Sequence, residues 1–342
     1  MGSLPPQATT PPPSSPDFNP SRFRVFAAFC PREAGPNPNI FNCIQCYNPS
    51  NNTWSHVSFI PDLLKNHVLK GFAMVSLGES IYIIGGRLWD KGKPQNSSES
   101  PDDAVDFGVE VSSLVLRYNV RLDQWSKCAP LGTPRYDFAY SVCDNKIYVA
   151  GGKSGLNSPR GISSAEVYDP ALDEWTPLPS MSNLRYKCVG VTWQGKIYVV
   201  GGFAERGDSD PYFVTFSPQR CSAEVYDTRT ERWDLVAGMW QLDVPPNQIV
   251  AMNDGSGFHI STCGGNYPPM ERLYLTMAPI GTQLYFLAGY KTYGEGEPSR
   301  SLSMVYIFDT SAPVNAWKCL EPMEEDGEKE LCSHCCVVQL SS

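Results

Sequence analysis

Histidine is scarce in this 342-residue chain: four in all, at 56, 67, 259 and 334. That leaves little material for imidazole catalysis or for a multi-histidine metal site. Long apolar runs are missing as well, and none approaches the ~20 residues that span a bilayer as a helix. The opening residues, MGSLPPQATTPPPSSPDFNP, contain seven prolines and no apolar core of a secretory leader. Pro6 stands where a myristoylation signal needs Ser or Thr. Charge is sparse and leans acidic: 18% Asp, Glu, Lys and Arg, with a net charge of −9 and a pI near 5.0. Such a balance speaks against nucleic acid or an acidic membrane surface as the general partner. Twelve cysteines are scattered without a spacing framework, so reduced thiols in the cytoplasm, or the nucleus, are expected. No cofactor signature is present. The "GGKS" at 151–154 lacks a P-loop's earlier glycine, since Ile147 holds that position. The "GSG" at 255–257 has Ile260 where a dinucleotide fingerprint needs a third glycine.

What the chain does have is punctuation. Apolar runs end on small residues four times: SIYIIGG (80–86), KIYVAGG (146–152), KIYVVGG (196–202) and QLYFLAG (283–289). Adjacent glycines at a strand end imply positive φ or a backbone approach too close for Cβ atoms. After the doublets comes a second phrase: VLRYNVRLDQW (115–125), AEVYDPALDEW (165–175) and AEVYDTRTERW (223–233), with an N-terminal copy CIQCYNPSNNTW (43–54). Tyrosine precedes tryptophan by seven residues in each, at 47/54, 118/125, 168/175 and 226/233. A fifth copy puts Phe308 in the tyrosine's place ahead of Trp317. Asp169, Asp227 and Asp309 follow as turn formers. A phrase repeated about every 50 residues marks stacked units that bury a core only together.

The combination resembles the kelch motif of β-propellers and covers about residues 22–340. MWQLDVPPNQIVA (239–251) and LCSHCCVVQL (331–340) resemble plant kelch proteins, in which six blades are expected. The resemblance implies an all-β fold, a kelch-type propeller of six four-stranded blades. Residues 1–21 are expected to be a disordered proline-rich tail and 22–342 the propeller. Between Trp233 and Trp317 lie two inner strand pairs but no Tyr…Trp phrase for the first, so the fifth blade is expected to be incomplete. SHCCVVQL (333–340) is an orphan strand that should join RVFAAF in the first blade and close the ring. No F-box is expected, because that module takes ~40 or more helical residues.

For chemistry, Cys43 and Cys46 have zinc-ligand spacing but fall on opposite faces of a strand. The resemblance to nitrile-specifier kelch enzymes raises an iron motif of Glu, Asp and His at four-residue spacing. Asp326, Glu330 and His334 echo it with the acids exchanged, a weak metal candidate. The stronger constellation is Arg135, Arg185 and Arg272, each sixteen residues ahead of Gly151, Gly201 and Ala288, with Tyr136 and Tyr186 following the first two. In kelch domains that capture acidic peptides, arginines at this offset make the capture. The alternative is that each pairs with an acid of a neighbouring blade. Loops at roughly 87–113, 153–164, 203–221 and 290–302 vary in length on the same side. The expected function is therefore an interaction module for a protein or peptide partner, an acidic one, with no cofactor and no identified catalytic residue. The alternative is an enzyme of plant specialised metabolism that uses the channel for an acidic small molecule.

Overall fold

Strand Lys146–Ala150 is buried from its second residue onward, so it can lie only between other layers of protein. It pairs antiparallel with Ala139–Cys143 on one side and Ala165–Asp169 on the other, and Glu174–Leu178 completes the sheet. The computed structural model describes residues 19–32, 40–91, 108–205, 218–240, 246–252, 257–261, 270–294, 297–312 and 317–341. The expected proline-rich tail therefore falls largely outside the described residues. Asn19 caps a 3₁₀ turn at Pro20–Arg22, where its side chain accepts the Ser21 N–H at 3.0 Å.

The sheet just described is sheet 3. Sheet 2 has the same order: Ala73–Leu77, Ser80–Ile84, Val115–Asn119, Gln124–Lys127. So has sheet 4: Val189–Trp193, Lys196–Val200, Ala223–Asp227, Arg232–Val236. Sheet 6 runs through Met270–Ile280, Gln283–Gly294 and Glu297–Asp309, with Trp317–Cys319 and Met323–Glu325 both on its outer side. Sheet 5 has two strands among the described residues, Pro246–Ala251 and Gly257–Ser261. Sheet 1 joins the chain's two ends. Phe23–Pro31 pairs with Cys43–Asn48 on one side and with Lys329–Leu331 and Cys336–Gln339 on the other, and Thr53–Phe59 is outermost. No α-helix occurs among the described residues, and no helix is long and apolar enough to cross a membrane.

The inner strands touch in sequence. Cys336–Gln339 meets Ala73–Leu77, then come Ala139–Cys143, Val189–Trp193, Pro246–Ala251 and Met270–Ile280, which returns to Cys336–Gln339. This radial arrangement is a β-propeller. Apolar wedges fill the space between sheets. Tyr82, Ile84, Val115, Phe138, Ile147 and Tyr168 form one of them, between sheets 2 and 3. Each fully buried side chain of this kind is worth about 1.5–3 kcal/mol against exposure.

The Tyr–Trp phrase does two jobs. The rings of Tyr168 and Trp175 lie 5.1 Å apart, and the Tyr168 hydroxyl donates to Asp173 at 2.6 Å. Asp173 has φ +52°, a left-handed turn position that its short polar side chain tolerates. The indole N–H of Trp175 then donates to the Ala129 carbonyl of sheet 2 at 2.9 Å. Asp169, Asp227 and Asp309 make the expected turns, each accepting the N–H two residues on at 2.9–3.0 Å.

At the seam in sheet 1, contacts are denser and follow no repeat. The Lys329 ammonium sits 2.8 Å from Glu325 and 2.6 Å from the Gln45 amide oxygen. Rings of Phe29, Trp54 and Tyr274 surround it at 4.3, 5.2 and 5.5 Å. Burial pulls its pKa below the usual lysine range, against the opposing pull of Glu325. Arg32 pairs with Glu271 at 2.7 Å and Lys291 with Glu328 at 2.5 Å, tying sheet 1 and its closing segment to sheet 6.

Candidate functional site

Inner strands and their partners continue past the glycine doublets on one side of the propeller, which is called the doublet face here. Gly151 and Gly152 have φ +69° and +91°. A Cβ on Gly151 would lie 2.8 Å from the Arg185 carbonyl, and one on Gly152 would lie 2.7 Å from that of Tyr136. Only glycine fits. The Gly152 N–H donates to the Arg185 carbonyl at 2.8 Å, so the backbone of Arg185, on the segment that leads into sheet 4, rests on the doublet of sheet 3.

From that position the arginine side chains turn inward. Arg135 donates to the carbonyls of Gly151 (2.8 Å) and Ser164 (3.0 Å) and meets Glu166 at 2.6 Å. Arg185 repeats the pattern one sheet on, with the Gly201 and Ser222 carbonyls at 3.1 and 3.2 Å and Glu224 at 3.3 Å. Both arginines have 0% exposure. Their acids are satisfied as well: Glu166 accepts the N–H of Gly132 (2.8 Å) and Thr133 (3.0 Å), and Glu224 those of Ser182 (2.6 Å) and Asn183 (3.0 Å). Burial holds Arg135 below the usual guanidinium range, opposed by Glu166.

The expectation that Arg135 and Arg185 converge on the channel to capture an acid is therefore corrected. Each is a buried tie between a doublet and the third strand of its own sheet. The acid it holds is the glutamate of AEVYD, a signal present in both phrases and overlooked. Sheet 2 has Leu69 and Leu116 in the two corresponding places, exposed by 0% and 1%. Arg272 differs from the other two. It is half-buried opposite Tyr290, Tyr306 stands where the glutamate would be, and no ion pair holds it among the described residues.

The tyrosines reach the mouth of the doublet face. Tyr136 is buried beneath the Arg87 guanidinium, 4.8 Å above its ring, and pairs by backbone with Lys153. Tyr186 is half-buried, with the Lys153 ammonium 4.3 Å above its ring, and it stacks on Phe203 at 4.9 Å and 18°. Lys70 and Arg87 flank Trp89 at 5.1 and 5.0 Å. Arg220 lies 4.7 Å over Phe203. Cations and rings thus alternate across sheets 2, 3 and 4. Arg87, Lys153 and Phe203 each follow a glycine doublet directly, a position the sequence reading passed over.

The loops on this face are partly structured. Arg87–Asp90 joins His67–Lys70 and Gly108–Val111 in a small outer sheet, and Leu184–Tyr186 pairs with Phe203–Glu205. Large parts of the 87–113 and 203–221 loops lie outside the described residues.

The weak metal trio is not gathered. Asp326 is exposed in a turn. Glu330 is held by Lys70 at 2.9 Å and Lys91 at 2.5 Å; burial raises its pKa, but the two lysines outweigh that and keep it below the usual carboxylate range. Burial pushes the His334 imidazole down to about 4, opposed by a backbone hydrogen bond with Asn247, and its Nδ1 has no partner. No group of three or more His, Cys, Asp or Glu among the described residues is placed to hold a metal ion. A void of about 10 Å³ between sheets 3 and 4, lined by Tyr140, Tyr148, Tyr226 and Trp233, has room for one water.

A family model described as the Kelch motif matches residues 134–182 and 184–239, the stretches that build these corners. These two stretches are kelch repeats. The Kelch repeat and BTB domain-containing protein 12 of Homo sapiens is 33% identical over 136 residues, which cover 38% of this chain and 19% of that protein. An F-box/kelch-repeat protein of Arabidopsis thaliana is 34% identical over 124 residues, 36% of this chain and 30% of that one. The matches thus span less than a third of these relatives. The solved structure of YjhT covers 76% of this chain and 67% of its own at a TM-score of 0.37 and 14% identity, too loose a likeness to extend the argument.

Proposed function

We propose that this kelch-repeat protein is an interaction module that binds an acidic segment of a protein partner on its doublet face. The observation that carries the reading is the arc of alternating cations and rings, Lys70, Arg87, Tyr136, Lys153, Tyr186 and Phe203, on a chain whose net charge is −9. Rings hold the ammonium and guanidinium groups in place at about 0.5–1 kcal/mol each when exposed, which lowers the entropy lost when an acid binds. Arg272, with no glutamate at the place where sheets 3 and 4 have one, is the one member of the original arginine set retained in this reading. The cyclic order of inner-strand contacts supports a closed ring of six sheets as the rigid mount.

A cytoplasmic location is part of the proposal. The eleven described cysteines are all free thiols, as a reducing compartment favours.

The test is a synthetic Glu/Asp-rich dodecapeptide titrated by fluorescence anisotropy at two ionic strengths. Binding should weaken as salt rises, and Arg87→Ala with Lys153→Ala should weaken it at least tenfold with the melting temperature kept. A peptide that binds the double variant equally well, or does not bind the protein at all, would remove this reading.

A further inference from the structure

Side chains alternate along Phe23–Pro31 between two apolar wedges. Val25, Ala27 and Phe29 pack toward sheet 6, and Phe26, Ala28 and Cys30 toward sheet 2. The closing segment sends Cys332 into the second wedge, where its backbone N–H donates to the Ala28 carbonyl at 2.9 Å. Cys30 stands opposite Glu330 in the same ladder. The two thiols meet around that one residue. Cys30 Sγ donates to Glu330 Oε1 at 3.3 Å, Cys332 Sγ donates to the Glu330 carbonyl at 3.8 Å, and the thiols are hydrogen-bonded to each other. Lys70 and Lys91 hold the Glu330 carboxylate, so this arrangement is pinned from the side of sheet 2.

Nearby cysteines are engaged differently. Cys335 Sγ donates to the Met277 carbonyl at 3.0 Å, and Cys46 Sγ to the Tyr47 carbonyl at 3.9 Å. Cys30 and Cys332, by contrast, bring sulfur to sulfur across the first and last parts of the propeller, some 300 residues apart. A bond between them would restrain the unfolded chain more than a short loop would. In the closed seam the pair is shielded, with 1% and 6% exposure. Burial, together with the hydrogen bond to Cys30, pushes the Cys332 thiol well above its ordinary range, so the reactive thiolate is scarce while the seam stays shut.

We propose that Cys30 and Cys332 form a thiol–disulfide latch, open in reducing surroundings, that fastens the ring covalently when a low-molecular-weight disulfide reaches the opened seam. One protein thiolate attacks a sulfur of the small disulfide and expels its first thiol, leaving a mixed disulfide. The second protein thiolate attacks the protein sulfur of that mixed disulfide and expels the second thiol. The cysteine pair gives up two electrons and two protons, and the small disulfide becomes two thiols. Entry requires Cys336–Gln339 to lift from Phe23–Pro31, so the latch engages in molecules whose seam has opened, and holds it once it closes again. The latch is independent of what the doublet face binds.

The test incubates the reduced full chain with oxidised glutathione, without urea and at urea concentrations below the unfolding transition. Mass spectrometry should show a loss of about 2 Da, and a non-reducing digest should link the peptides of Cys30 and Cys332. The oxidised protein should melt about 5 °C or more above the reduced one in calorimetry. Dithiothreitol should abolish that shift, as should Cys30→Ala or Cys332→Ala, whereas Cys46→Ala and Cys336→Ala should keep it. Oxidation should quicken with urea, in step with hydrogen exchange at Cys336–Gln339. A digest that shows glutathione adducts alone, a different cysteine pair or no oxidation overturns the latch, and this readout on the unaltered chain stands even if a variant fails to fold. A linked pair with no rise in melting temperature also overturns it, and a rate indifferent to urea overturns its gating by the seam.

Discussion

The arc of sheets 2 to 4 and the seam of sheet 1 solve the same problem by opposite means. In the arc, one corner recurs: the doublets of sheets 2 and 3 receive the backbone that leads into the next sheet, and an Arg–Glu pair (sheets 3 and 4) or a Leu–Leu pair (sheet 2) fills the space behind. At the seam nothing recurs, and Lys329, Glu325, Glu330, Lys70, Lys91, Arg32 and Glu271 form contacts found only there. Neighbouring sheets in the arc are placed by short connections, so a generic corner suffices. The strands of the seam are some 300 residues apart in sequence, and their register has to be selected by side chains alone. Ion pairs with fixed geometry discriminate register better than apolar contacts do.

The largest effect should come from the seam. Removal of residues 333–342 strips Cys336–Gln339 from Phe23–Pro31 and opens an edge strand with six buried residues. We expect loss of cooperative unfolding and aggregation, read by calorimetry and size-exclusion chromatography; a soluble variant with a sharp transition would show that the arc stands without its seam. Next comes the corner of the arc. Glu166→Ala leaves the Arg135 charge buried and unpaired, at a cost of about 3–5 kcal/mol in urea unfolding. Arg135→Leu with Glu166→Leu copies sheet 2 and should recover all but about 1–2 kcal/mol of that loss, since apolar replacement of a buried pair is often neutral. If the double variant is as unstable as the single one, the two kinds of corner are not interchangeable.

Acid should separate the two regions by a smaller step. His334 has its pKa lowered to about 4 in the fold, against an ordinary value of 6.5. Between those values the unfolded chain binds a proton that the folded one refuses, so stability is full above about 6.5 and falls as pH drops toward 4. The loss is on the order of 3 kcal/mol, and His334→Phe should flatten it. Hydrogen exchange at pH 5 should then open Cys336–Gln339 before the strands of sheet 3; simultaneous opening would deny the seam its sensitivity. The smallest effect compares tryptophans. Trp175→Phe removes one hydrogen bond to Ala129 and should cost about 1 kcal/mol, whereas Trp317→Phe should cost nothing measurable.

The strands, doublets and Tyr–Trp wedges were legible in the chain because each is a backbone demand or a volume that recurs. Gly151 and Gly152 read correctly since positive φ and close approach leave few alternatives to glycine. Arg135 and Arg185 read wrongly for the opposite reason. A charged residue at a repeated offset looks the same whether it faces a channel or a glutamate 31 or 39 residues further on. The coincidence that would have separated the two is internal: where the arginine becomes Leu69, the glutamate becomes Leu116. The cation–ring arc was hidden because Arg87 follows the doublet of sheet 2 while Tyr136 lies on the segment that leads into sheet 3, and their proximity depends on how the two sheets sit together.

The pairing of Phe23–Pro31 with Cys336–Gln339 also sets a schedule. On a ribosome the first strand leaves the exit tunnel long before its partner is translated, with about 300 residues to come. At about 5–20 residues per second that is a wait of roughly 15–60 s. For that interval Val25, Phe26, Ala27, Ala28, Phe29 and Cys30, all buried in the finished protein, have no inner neighbour. The nascent chain therefore carries a sticky leading edge that a holdase must shield, and nonsense or frameshift products, which never make the final strand, keep it for life.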